Sequence, residues 1–259
     1  MTGRVVLDIL GMPIGISATG QSTESLRRQL GQLITSDRTA DRWVEVQGQE
    51  IEDALAAATA IRVANSTDLL LHAGAIAHTS GVVVFPGPSG SGKSTVTAAC
   101  VQQGMGYVTD EIVAVDLSSL AVTGLPRPVM LTPWSMRQLD IARPTQQEDG
   151  GPLHETKVAV LIDELHGYTV RRPRSLTHVI TLTRAAIPQV RPLSPGQVLE
   201  TMLRSAFNHY QHGEAAWRAC ASLAQTCSGW QLAANSPREA ARVVGELVTK
   251  HHRLATAAK

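Results

Sequence analysis

The segment Gly87-Pro88-Ser89-Gly90-Ser91-Gly92-Lys93-Ser94-Thr95 constrains this chain more than any other stretch. It fits G-x-x-x-x-G-K-[ST], follows the apolar run at 81–85, and opens a second apolar stretch at 94–103. Strand, glycine-rich loop and helix in that order bring backbone N–H groups and a helix N-terminus to one point. Glycines let those amides approach an anion with no Cβ in the way, and the helix dipole favours negative charge there. Lys93 is the only lysine before Lys157, in a chain that otherwise uses arginine. These residues predict a nucleotide-phosphate cradle, in which Lys93 reaches the β- and γ-phosphates and the Ser94 hydroxyl ligates Mg²⁺.

Beyond the helix, Gly104 and Gly106 turn the chain into Tyr107-Val108-Thr109-Asp110-Glu111. Were this strand the parallel neighbour of the one before the loop, both would end on the same sheet edge. Asp110 would then stand beside the γ-phosphate, able to ligate metal, orient a hydroxyl or take its proton. An exposed acidic turn is the bland alternative. His72, in the apolar run 69–77, reads equally as a satisfied core histidine or as a sheet-edge residue that orients Asp110.

Composition narrows the remaining classes. With 259 residues the chain suits one α/β domain plus a smaller piece and needs no disulfide or metal staple. Its 43% hydrophobic content excludes disordered classes, and a net charge of +1 calls for neither nucleic acid nor an acidic membrane. Three cysteines, Cys100, Cys220 and Cys227, have no CxxC spacing and fit a reducing cytosol. No apolar run approaches the length of a membrane span, and the N-terminus, interrupted by Asp8, reads as a strand pair. A cytoplasmic location is the expectation.

Three portions are expected. Residues 1–66 form an α+β portion, with strands near 5–10 and 43–47 and helices at 23–34 and 50–63. Residues 67–185 are rich in β signals, with a hairpin of 69–77 and 81–86 and later strands at 107–109, 112–117, 122–125, 158–162 and 176–182. Residues 186–259 read as helical, with capping boxes opening at Ser194 and Ser236. Two further motifs have plain explanations. Leu193-Ser194-Pro195-Gly196-Gln197 resembles an ABC-type signature but follows the 160–164 motif instead of preceding it, and helix capping accounts for Ser194. Val160-Leu161-Ile162-Asp163-Glu164 reads first as a strand ending in a charged turn, with an AAA-type Walker B as the alternative.

The stretch from His72 to Asp116, HAGAI followed by FPGPSGSGKSTVTAACVQQGMGYVTDEIVAVD, resembles the C-terminal catalytic domain of HPr kinase/phosphorylase. Overall the chain looks most like the shorter HPr-kinase-like proteins of peptide-modification gene clusters, including those for lasso peptides. It departs from the family in having Glu111 where aspartate is common, and the family's later metal-ligand and phosphorylase segments are not recognisable. The resemblance implies an α/β, phosphoenolpyruvate-carboxykinase-like P-loop sheet, joined here by the N-terminal α+β and helical C-terminal portions. It implies transfer of the γ-phosphoryl group of ATP to a hydroxyl, serine foremost, of a peptide or small protein. By matching positions Lys93 binds phosphate, Ser94 binds Mg²⁺ with Glu111 as further ligand, Asp110 is the general base and His72 supports it. The family's hexamers make a homo-oligomer compatible with this reading. Arg127, Arg184 and Arg191 stand unranked as a charge-neutralising arginine. A P-loop ATPase or AAA-type switch using Asp163 and Glu164, a non-catalytic nucleotide module and a small-molecule kinase are the rivals.

Overall fold

Alternation of buried and exposed residues makes a strand of Thr2–Ile9 (β1), and a tight turn at Leu10-Gly11 pairs it with Met12–Thr19 (β2). The computed structural model describes residues 1–47, 51–142 and 157–257, a mixed α/β protein. Ser22 caps the helix Thr23–Leu30 (α1) by accepting from Ser25 N at 3.0 Å. That helix stops short of the expected residue 34 because the chain turns back onto the free edge of β1. Asp8 N donates to Leu33 O at 2.7 Å and Thr35 N to Val6 O at 2.9 Å. Trp43–Gln47 (β3) then runs parallel to β2, and the helix Ile51–Ala64 (α2) covers the resulting three-stranded sheet. Glu50, the expected first residue of this helix, lies outside the described residues. Leu7, Ile14, Leu26 and Ala58 form an apolar cluster with Leu70, Ile112 and Ala114 of the central sheet, so this portion rests on the part that carries the glycine-rich loop.

The central sheet begins with Leu69–His78 (β4) and Gly81–Pro86 (β5), an antiparallel hairpin closed by Thr79-Ser80. The loop leads into the helix Lys93–Gln102 (α3), and the chain returns as Gly106–Thr109 (β6). Ile112–Val115 (β7) and Ala121–Gly124 (β8) follow, then Val129–Leu131 (β9), the short helix Pro133–Gln138 (α4) and Val158–Val160 (β10). Ile162–Leu165 is a 3-10 turn, and Arg174–Arg184 (β11) re-enters the sheet beside β5. The expectation that β5 and β6 are neighbours is corrected here. Both run the same way, but β4 lies antiparallel between them, pairing with β5 on one side and with β6 and β7 on the other. Their C-terminal ends still share one edge of the sheet.

The expectation of an all-helical 186–259 is also corrected. Gln189–Leu193 (β12) and Ser228–Ala234 (β13) both belong to the central sheet, among the helices Pro195–Ser205 (α5), His209–His212 (α6), Glu214–Thr226 (α7) and Pro237–Ala257 (α8). β13 runs parallel to β11, with Leu182 opposite Leu232, and β12 pairs antiparallel on its outer side. The described strands order as β12-β13-β11-β5-β4-β7-β8, with β6 beside β4 and the start of β11 touching β8. Sequence SGWQLAA gives little strand signal by itself; pairing with β11 and burial of Leu232 and Ala234 hold it extended.

Side chains alternate across this sheet. Ile76, Val83, Phe85 and Ile180 pack with α3 and α8 on one face, while Ala75, Val82, Val84 and Val179 pack with α5 and α7 on the other. No helix among the described residues is long and apolar enough to cross a membrane. The capping box at Ser194 is formed: Ser194 Oγ accepts from Gln197 N at 3.3 Å and Gln197 Oε1 accepts from Ser194 N at 2.9 Å. Ser194→Ala is therefore expected to lower stability by about 1 kcal/mol in denaturant melts; an unchanged midpoint would show that the cap contributes nothing.

Candidate active site

Gly90 and Gly92 lie in the left-handed region, at φ 81° and 94°, where side-chain-bearing residues are strained. Gly92 is the N-cap of α3 and supplies no side-chain cap, so the first amides of that helix remain as donors toward the cleft in front of them. A Cβ on Gly87 would meet Ser91 Oγ at 3.0 Å, so the loop is narrow at its base. Lys93, 5% exposed, bends back and donates from Nζ to the carbonyls of Gly87 and Pro88, both at 2.8 Å. Burial pulls the Lys93 pKa below its ordinary value, and the nearby Lys157 charge pulls the same way, while Glu111 and Asp110 oppose them. A buried cation over uncapped amides fits a polyphosphate, which would add an anionic partner to the two carbonyls.

The cleft has a volume of about 470 Å³. Ser89, Gly90, Gly92, Lys93, Ser94 and Thr95 line it from the loop side. Ser91 is not among the residues lining the cleft; its hydroxyl is buried inside the loop, against Gly87. Thr95 Oγ1 and Ser135 Oγ are hydrogen-bonded at 2.8 Å, which ties α3 to α4.

Across from the loop stands the acidic pair, just beyond β6. Asp110 is 1% exposed, and its carboxylate is surrounded by donors. Oδ1 takes an ion pair from Arg127 Nε at 3.4 Å and shares the Tyr107 hydroxyl proton, at 3.1 Å, with the Arg127 carbonyl at 2.8 Å. Met130 N approaches Oδ2 at 3.4 Å. Burial, and next the Asp110 charge, push Tyr107 well above its ordinary pKa, so its hydroxyl stays protonated as a donor. Glu111 is more exposed and is bound by Arg127 Nη2 at 2.8 Å. Burial works against the Arg127 charge, yet Asp110 and Glu111 outweigh it and hold the guanidinium above its ordinary pKa.

His72 is not a core residue. It sits near the start of β4, lines the cleft, and places Nε2 3.8 Å from Glu111 Oε1. Its partner is Glu111 rather than Asp110, which corrects the expected contact. Burial foremost, and then the Lys93 charge, lower its pKa, so the imidazole is neutral near pH 7.

The three candidate arginines separate. Arg127 grips both carboxylates; Arg184 lines the cleft from the end of β11, with Cζ 4.8 Å from the Trp134 ring centroid; Arg191 is exposed on β12 and donates to Gln189. Nothing in the spacing singled out Arg127, although its setting between Pro126 and Pro128 marks a fixed backbone. Trp134 was also missed, although Thr132-Pro133 ahead of it is a helix-start signal that the structure uses. Asp163 and Glu164 stand apart from all of this. Among the described residues β10 pairs only with β9, off the central sheet, and Glu164 lines a depression with Gln102 and Gln103 at the far end of α3. A ten-residue helix, about 15 Å long, separates them from the loop.

A Mg²⁺ ion would draw on Ser94 and Glu111. Among the described residues no group of three or more His, Cys, Asp or Glu side chains stands together as a metal cage. That donor set suits Mg²⁺ held mainly by phosphates and water, with one or two protein ligands. Arg127 itself gives a structural test. Arg127→Met leaves Asp110 buried with only Tyr107 and Met130 N for partners, and should cost about 3 kcal/mol in urea melts. Adding Asp110→Asn to that variant should recover most of the loss; simple additivity of the two changes would show that the pair is not coupled.

The chain matches no protein-family model and no curated protein.

Proposed function

We propose that this protein is an ATP-dependent kinase with a phosphoenolpyruvate-carboxykinase-like P-loop sheet, related to HPr kinase, that phosphorylates a hydroxyl, serine foremost, on a peptide or small protein. One observation carries the reading. An acidic pair gripped by an arginine faces a glycine-rich loop with a buried lysine across one cleft, at the shared C-terminal edge of β5 and β6. An ATPase needs only to position water, whereas a kinase also needs room for an acceptor beside the γ-phosphate. That room exists: a cavity of about 890 Å³ between α1, α2 and β9 meets the phosphate cleft at Glu111 and Met130, which line both. Its apolar wall includes Leu30, Leu55, Val63 and Leu125, which suits a side chain flanking the hydroxyl.

In this reading the loop amides and Lys93 hold the β- and γ-phosphates, and Asp110 accepts the acceptor's proton as its oxygen attacks the γ-phosphorus. The bond to the bridging oxygen breaks and ADP leaves. Mg²⁺, bound through Ser94 and Glu111, supplies charge neutralisation on the phosphates. Arg127 fixes both carboxylates, and His72, neutral beside Glu111, limits that side chain's freedom. Incubation with γ-labelled ATP, Mg²⁺ and a panel of serine-bearing peptides tests the assignment. Label on a peptide hydroxyl is the expected result; ATP hydrolysis that ignores every acceptor supports the switch-type ATPase instead.

A further inference from the structure

The cleft has two flanks, and only one is used by the chemistry above. Sheet order places β4 and β6, with His72, Asp110 and Glu111, on one side of the glycine-rich loop and β11 on the other. Val179 of β11 faces Val84 of β5, so β11 runs on past the level of Pro86 and carries Arg184 out beyond the loop. There the Arg184 guanidinium lies over the Trp134 ring at 4.8 Å, and both residues line the cleft. Both also line a shallow depression of about 50 Å³ that ends at Asn235 and Ser236, where β13 passes into α8.

The acidic pair sets the direction in which a nucleotide lies. With Asp110 as the base beside the γ-phosphate, the γ end belongs to the flank of β4 and β6, where Asp110, Glu111 and Lys93 line one cleft. An extended triphosphate with its γ end there carries its nucleoside out on the opposite flank, toward Arg184 and Trp134. The guanidinium is held over the indole as a cation over a ring, and its planar, delocalised group offers a surface to a second flat π-system. The depression itself is too small to enclose a base, whereas Arg184 and Trp134 at the wall of the larger cleft offer it a surface to stack on.

Resting on the phosphate-loop reading above, we propose that Arg184, braced by Trp134, is the platform on which the nucleoside base of ATP stacks, and not a catalytic arginine. The probes are ADP with Mg²⁺ and inorganic tripolyphosphate, each titrated calorimetrically. Arg184→Ala should weaken ADP binding about ten-fold while tripolyphosphate affinity stays within two-fold of the unmodified protein. Arg184→Lys, which keeps the charge but not the plane, should lose ADP affinity to a similar extent. Trp134→Leu should show the same selectivity, and Trp134→Phe should retain most of the binding. Equal losses for ADP and tripolyphosphate would make Arg184 a phosphate ligand and overturn the platform, as would unchanged ADP binding in Arg184→Ala. Failure of the unmodified protein to bind either probe would instead overturn the phosphate-loop reading itself.

Discussion

Lys93→Ala is expected to leave no saturable ATP binding in calorimetry and to lower turnover by at least ~10²–10³-fold, the usual cost of losing one preorganised charge-stabilising donor. The buried Lys93 ammonium is held over the loop by the Gly87 and Pro88 carbonyls, so it is positioned before any phosphate arrives. Alanine removes that charge and also frees the loop from its clasp. Lys157 lines the same cleft but is exposed and comes just before β10, apart from the loop, so it does not replace a lysine clasped under the loop amides. Thermal melts of the variant separate loss of the site from loss of the fold. Wild-type ATP affinity in a folded Lys93→Ala protein would remove the phosphate-cradle assignment altogether.

Asp110→Asn should cut phosphoryl transfer by ~10²–10⁴-fold and leave ATP binding nearly intact. Asparagine fills the same volume and can accept from Tyr107 and Arg127, but it cannot take the acceptor's proton. Because Arg127 keeps Glu111 as an ion-pair partner, the local structure has a second anchor. The paired control is Asp163→Asn with Glu164→Gln, at the far end of α3, which should stay within a few-fold of wild type. Single-turnover transfer from labelled ATP at saturating Mg²⁺ measures both variants. The kinase assignment is falsified if Asp110→Asn transfers normally while the Asp163/Glu164 variant is inactive.

Legibility in the sequence followed the range of the interactions involved. The turn of the loop at 87–95 was readable because its conformation rests on glycines within nine consecutive residues. The turn from α3 into β6 was readable too, with glycines at 104 and 106 in the chain itself, and it led to Asp110 and Glu111. Strand order was not readable: β4 inserts between β5 and β6 through pairings such as Ala75 with Thr109, which no local pattern encodes. β12 and β13 were hidden for the same reason, since a stretch like SGWQLAA becomes a strand only once β11 offers its edge.

By itself, then, the sequence determined the local chemistry: a glycine loop with a lone lysine, a helix opened by Gly92, an acidic pair one helix later, and the Ser194 cap. Each depends on neighbours within a few positions, where backbone conformation and spacing are set by residue type. Only the tertiary structure decided which distant groups meet. It chose Arg127 over Arg184 and Arg191 as the partner of the acids, turned His72 toward Glu111, set the Arg184 guanidinium over the Trp134 ring, and moved Asp163 and Glu164 away from the loop. Those outcomes follow from burying alternate faces of one sheet under separate helix layers, a global packing condition that no single segment carries.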